Sequence, residues 1–318
     1  MARRIDVHHH FLPPAYTKAL EECGGDPSGF PTPVWSIEAD QKLCADCEIE
    51  TAILSVTAPG AGILKGAKAA RLARECNEYG KGIKDKFPDR YGFFAALPDI
   101  LDTAAALEEI RYAFDELQAD GVTLFTRYGD ANYYLGHPDI RPIWEELDRR
   151  AAVVFVHPTH AVDTNPVNKM LPQPVIDYPH ETTRTAVDLI TTDTVRKYKR
   201  CKIILSHGGG SLPYVAMRPA VAMADAGISP MTSEQFLENA RLFYYDMALT
   251  DSSLALPLLR RFVSADHILY GSDFPYAPVA STKFFTKDLA EADVLNREEL
   301  EKINFGNALG LFPRLSKN

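Results

Sequence analysis

No uninterrupted apolar run in the sequence approaches the roughly 18 residues that suggest a membrane span. The start, Met-Ala-Arg-Arg-Ile-Asp-Val, does not lead into the apolar stretch of a secretory signal. Cysteine is scarce: Cys23, Cys44, Cys47, Cys76 and Cys201 are odd in number and irregularly spaced, unlike a disulfide framework. Cys44 and Cys47 have the spacing of half a zinc or redox site, but no second Cys or His pair follows at finger spacing. They share a helical pattern with Leu43 and nearby alanines, which reads as helix packing. Positive charge is also short, with 34 Lys and Arg against 43 Asp and Glu and a net charge of -9. That balance repels a phosphate backbone and an anionic bilayer alike, so neither nucleic acid nor membrane is an expected partner. Internal repeats and low-complexity tracts are missing too. The expectation is a soluble, cytoplasmic protein.

What is present is a core. Hydrophobic residues make up 46% of 318 residues, far too much for a disordered chain. Short β-rich runs alternate with longer amphipathic ones, the pattern of βαβ units around a parallel sheet. The expected strands are Arg4–His10, Ala52–Thr57, Tyr91–Leu97, Val122–Thr126, Val153–His157, Lys202–His207, Leu242–Met247 and His267–Asp273. Most are nearly all apolar, as strands covered on both faces should be. Helices are expected over Asp102–Leu117, Arg141–Arg150 and Thr182–Tyr198, with Asp102 as an N-cap and Pro142 in a first turn. An open doubly wound sheet would place a Gly-rich phosphate loop after its first strand. Here that position reads His-His-His-Phe-Leu-Pro-Pro. The sequence therefore predicts an α/β fold, a closed (β/α)8 TIM-type barrel, with residues 1–318 as one domain. Phe11 to Trp35 is too long for an ordinary connection, and it is read as a lid insertion after strand one.

Alternate side chains of a strand share a face, so His8 and His10 point together into the barrel mouth while His9 points toward the helices. Strand five ends in His157-Pro, strand six in His207-Gly-Gly-Gly, and strand eight in Gly-Ser-Asp273-Phe-Pro. Active sites of this fold lie at those C-terminal strand ends. Polar side chains ending greasy strands are costly without partners, and a shared metal removes that cost. His8, His10, His157 and Asp273 are the candidate ligands of one divalent ion; three imidazoles and a carboxylate suit zinc, with manganese possible. His160 and His180 are weaker candidates for substrate contact at the top rim, and His137 and His267 read as structural.

With these motifs in place, the chain resembles the amidohydrolase superfamily, in its aminocarboxymuconate-semialdehyde decarboxylase-like branch. The resemblance runs from Ile5-Asp-Val-His-x-His10 through Leu135-Gly-His-Pro-Asp-Ile-Arg-Pro-Ile-Trp144, His157-Pro and His207-Gly-Gly-Gly to Gly271-Ser-Asp273-Phe-Pro. It implies that His8, His10, His157 and Asp273 hold the metal and that His207 acts on the metal-bound water or the substrate. It also implies that Arg218 reaches a neighbouring subunit's site and binds substrate carboxylate, hence a homodimer. A helix-surface charge is the plain alternative for Arg218.

Several departures narrow the expectation. Two-metal hydrolytic relatives carry a bridging lysine at the end of strand four, where this chain reads Leu124-Phe-Thr-Arg-Tyr128, so a single metal is expected. Trp35 to Asp40 lacks the additional arginine of the dicarboxylate-handling enzyme, which favours a substrate with one carboxylate. Gly210 and His8 stand where γ-resorcylate-type decarboxylases have glutamates. What remains is similar to decarboxylases of 6-methylsalicylate, so the expected reaction yields 3-methylphenol (m-cresol) and CO2 from that small aromatic acid. Asp273 and His207 are both candidates for delivering the proton. Hydrolysis of a lactone or amide, or hydration, would use the same residues and stays open, as does a barrel that merely binds a ligand.

Overall fold

The structure of the protein, a computed structural model, describes residues 3–317; Met1, Ala2 and Asn318 lie outside it. Its centre is an eight-stranded sheet in which every ladder is parallel. In chain order the strands are β1 (Arg4–His10), β2 (Ile49–Ser55), β3 (Tyr91–Ala95), β4 (Gly121–Phe125), β5 (Val153–His157), β6 (Lys202–Leu205), β7 (Tyr244–Asp246) and β8 (Ile268–Leu269), each beside its sequence neighbour. The barrel closes where the segment after β8 meets β1. Val7 N–H donates to Tyr270 O (3.1 Å), Asp273 N–H to His8 O (2.8 Å), and His10 N–H to Phe274 O (2.7 Å). Helices separate the strands, as parallel connections require.

Two apolar layers result. Ile5, Val7, Ile53, Phe94, Val153, Phe155, Ile204 and Leu269 cluster with Leu311, Phe312 and Leu315 of the C-terminal segment, a packed floor beneath the strand ends. A larger cluster joins the outward faces of the strands to the helices, with Trp144, Tyr91 and Tyr245 among its largest fully buried members. Fully burying a leucine or phenylalanine contributes about 1.5–3 kcal/mol, so these layers supply the main drive to fold.

The expected elements are present, with shifted ends. The Asp102 carboxylate accepts from Ala105 N–H at the start of the helix Thr103–Asp115, and Pro142 lies in the first turn of Arg141–Arg149. The third helix begins earlier, covering Gln173–Thr191, and a separate turn follows at Thr194–Lys197. Cys44 packs inside the helix Ile37–Asp46, Cys47 caps it, and both are buried thiols. The segment 11–35 is not a plain loop: it contains the helix Pro14–Glu22, which buries Tyr16, Ala19 and Leu20.

Candidate active site

β1 has a feature that strict alternation misses. Ile5 and Val7 face the floor, which by a period of two would send His8 outward. The register of β1 against β2 slips between Asp6 and His9, and the Asp6 carboxylate accepts the His8 N–H at 3.1 Å. Such an irregularity re-aims a side chain. His8 and His10 then both turn into the mouth, their Nε2 atoms 3.1 Å apart. His9 points to the helices, between Asp6 Oδ2 and Asp40 Oδ2, each 2.9 Å away. Ser272 N–H also donates to Asp6, at 3.1 Å, tying this network to the segment that carries Asp273.

Asp273 Oδ1 lies 3.3 Å from His8 Nε2 and 3.1 Å from His10 Nε2. With His157 these residues place one donor atom each within 4.8 Å of one another, and all four are buried. The outer ring nitrogens show why the donors face inward. His8 Nδ1 meets Asp246 Oδ2 at 2.9 Å, His10 Nδ1 meets Ser55 O and Oγ at 3.2 and 2.9 Å, and His157 Nδ1 meets Pro158 O at 2.7 Å. A carboxylate or carbonyl accepts only from an N–H, so each Nδ1 carries a proton and each Nε2 faces the centre. Three imidazole nitrogens and a carboxylate converge in a buried space, and that donor set fits one divalent metal. Two other clusters, His8–His207–Asp246 and His9–Asp40–Cys44, are held together by hydrogen bonds of their own.

The protonation pattern agrees with the geometry. Burial disfavours charge on His8, but Asp246 and Asp273 outweigh it and push the imidazole up to about 10. Burial lowers His10 and, with the neighbouring histidines, takes His157 well below its ordinary value. Burial would raise Asp273, yet hydrogen bonds from His10 and His8 hold its carboxyl well below the usual range.

His207 stands beside this cluster, its ring 4.8 Å from that of His8. Its Nδ1 donates to Ala248 O at 3.0 Å, leaving Nε2 unengaged, and burial lowers its basicity. His207 and Asp273 both adopt left-handed backbone (φ 55° and 59°), uncommon for residues with a side chain and typical of functional sites. The three glycines after His207 also have positive φ. A Cβ on Gly209 would come within 2.5 Å of the Tyr245 ring, and one on Gly210 within 2.0 Å of Pro179 O.

Above the cluster opens a cavity of about 350 Å³, walled mainly by apolar groups that include Phe30, Val175, Leu249 and Phe285. His157, His207 and Asp273 form its polar end. The rim histidines are corrected here. His180 is exposed on a helix, not in a loop, while its neighbours Tyr178 and Pro179 take the cavity face. His160 lines a separate cavity with Arg127, whose guanidinium donates to the His160, Gly129 and Ala161 carbonyls. Arg218 is exposed on the helix Met217–Asp225, outside this chain's own cavity. His137 and His267 serve structure, accepting from Asp139 N–H and meeting Phe243 O. Asp246, Asp26, Tyr178 and Tyr276 were missed, since no motif marks them; only Asp246, ending β7 at the level of the four-residue cluster, left a positional signal.

Comparison with known proteins adds the wider context. The family profile described as Amidohydrolase matches residues 5–314. The chain is 51% identical to a 6-methylsalicylic acid decarboxylase of Penicillium expansum, over 98% of this chain and 97% of that protein. It is equally 51% identical to a 6-methylsalicylic acid decarboxylase of Aspergillus aculeatus, over 99% and 97%. Among solved structures, one described as an amidohydrolase II superposes with a TM-score of 0.90 at 31% identity, covering 98% of this chain and 99% of the other.

Proposed function

The chain belongs to the amidohydrolase family, and on that premise we propose that it is a metal-dependent, non-oxidative decarboxylase of an aromatic hydroxy acid, converting 6-methylsalicylate to 3-methylphenol and CO2. The observation that carries this reading is the pairing of a four-donor cluster with an apolar cavity of about 350 Å³, at half identity to enzymes of that name over nearly the whole chain. We assign His8, His10, His157 and Asp273 as ligands of a single ion, zinc in preference to manganese for its three imidazoles. When bound, that ion supplies a Lewis acid for the carboxylate and the ortho hydroxyl oxygen of the substrate.

The remaining work falls to the chain. The apolar walls hold the ring in one plane and exclude water, so the leaving CO2 and the ring carbon stay in register. Loss of CO2 leaves an electron pair on that carbon, and a proton must replace it. Asp273 and His207 both border the cavity, and neither is poised to hold a spare proton at neutral pH. In our scheme one of them first takes the proton of the ortho hydroxyl and then returns it to the carbon; the product phenolate is reprotonated by water. Arg218 of a second copy would supply the positive charge that this chain's cavity lacks, in a cytoplasmic homodimer. Residues 1–318 act as one barrel domain, with the 11–35 segment as a lid.

The test is incubation of metal-analysed protein with 6-methylsalicylate before and after chelation. The reading requires 3-methylphenol from the loaded enzyme, loss on chelation and recovery with zinc. Loaded protein that releases no CO2 from this or related hydroxybenzoates, yet opens lactones or amides, would overturn it.

A further inference from the structure

Beyond His157, His207 and Asp273, the described lining of the cavity carries one further carboxylate, Asp26, beside the phenols of Tyr178 and Tyr276. No lysine or arginine lines the same space. Asp26 belongs to the segment after β1, and its position there is built. Its Oδ1 accepts the Ser28 N–H at 2.8 Å, and Gly29 N–H donates to its carbonyl at 3.0 Å. Ser28 is buried; its Oγ accepts from Phe30 N–H, and its carbonyl accepts from Gln173 N–H at 3.2 Å, anchoring the turn to the helix across the cavity. Burial raises the carboxyl above its ordinary value, and the Ser28 N–H and hydroxyl offset only part of that rise. The phenols of Tyr276 and Tyr178, which share the lining, both feel its charge.

We propose that Asp26 is a specificity-determining residue that rejects substrates bearing a second anionic group on the ring, leaving the cavity to monocarboxylates. This deepens the decarboxylase reading and rests on it. A second anionic group brought to the Asp26 side of the cavity would meet that carboxylate across a low-dielectric space. A methyl group meets Phe30, Leu249 or Phe285 at no such cost. Asp26 thus adds a repulsive element, a device on which discrimination commonly depends.

The test separates charge from the turn. Asp26→Asn keeps an oxygen that can accept the Ser28 N–H but loses the charge; Asp26→Glu keeps the charge. Calorimetric Kd values on zinc-loaded protein are compared for salicylate, 4-hydroxyisophthalate and 2-hydroxyterephthalate, which share one chelating edge. In the natural protein salicylate is expected to bind at least about tenfold tighter than either dicarboxylate, with Asp26→Asn closing the gap to about threefold and Asp26→Glu preserving it. An unchanged ratio in Asp26→Asn, or equal binding of all three by the natural protein, overturns the proposal. Binding needs no turnover, so loss of the decarboxylase assay alone would sink the reaction and leave this ratio still readable.

Discussion

Asp246 shows how much of the proposed metal centre lies one residue beyond its proposed ligands. Its Oδ2 orients His8, and its Oδ1 accepts the backbone N–H of both His207 (3.1 Å) and Ala248 (3.0 Å). One carboxylate thus fixes a ligand from β1 and the loop after β6. Asp246→Asn keeps the shape but can present an N–H to His8 Nδ1, so zinc affinity should fall by about 10–100-fold. Competition with a chromogenic chelator reads this directly, and unchanged affinity would remove Asp246 from the site. The proton question is settled at the same scale. Asp273→Asn and His207→Asn are compared for turnover at measured metal content, and the donor's loss should exceed about 10²-fold with a measurable share of zinc retained. Comparable turnover per bound metal in both variants would refute the scheme.

Among the elements, legibility in the sequence depended on what the chain does locally. β1 and β5 begin and end at the expected residues because an apolar run stops at a histidine that faces the site. β7 and β8 are shorter than their apolar runs: Met247 N–H still donates to Leu269 O, whereas Tyr270 turns to the barrel seam, where its carbonyl accepts from Val7 N–H. Alternation pairs His8 with His10, and the structure brings the two together, but they face inward only because of the slip after Asp6, which no residue type announces. The glycines after His207 were visible; the reason for them, backbone packed against Pro179 and Tyr245, was not. Gly210→Ala should therefore destabilise the fold by about 2 kcal/mol or more and displace His207; urea unfolding checks the first and turnover the second. A helix pair gives the pH prediction. Arg150 bonds both Glu146 and Asp115, joining Arg141–Arg149 to Thr103–Asp115. Hydrogen bonding from Arg149, then Arg150, holds the Glu146 carboxyl down to about 2 from 4.5. A depressed carboxylate stabilises the folded chain above its unfolded value and stops doing so as pH falls through the folded one. Glu146→Gln should cost about 1 kcal/mol at pH 7, and the gap should vanish between pH 4.5 and about 2.

At the scale of the whole molecule, the cavity has an acidic and imidazole-rich end but no cation of its own, while Arg218 stands exposed outside it. If Arg218 serves a partner's site, Arg218→Ala and His207→Asn chains, each impaired alone, should recover about a quarter of native activity when mixed and allowed to exchange. No recovery in mixed dimers confirmed by mass would place Arg218 outside catalysis. The central claim is that the barrel removes a ring carboxylate and puts a proton in its place. The measurement that reaches it most directly is turnover of 6-methylsalicylate by zinc-loaded protein in D2O, followed by NMR and CO2 capture. The account predicts one CO2 per 3-methylphenol, with deuterium on the carbon that carried the carboxylate. Intact 6-methylsalicylate, or 3-methylphenol formed without stoichiometric CO2, would contradict it.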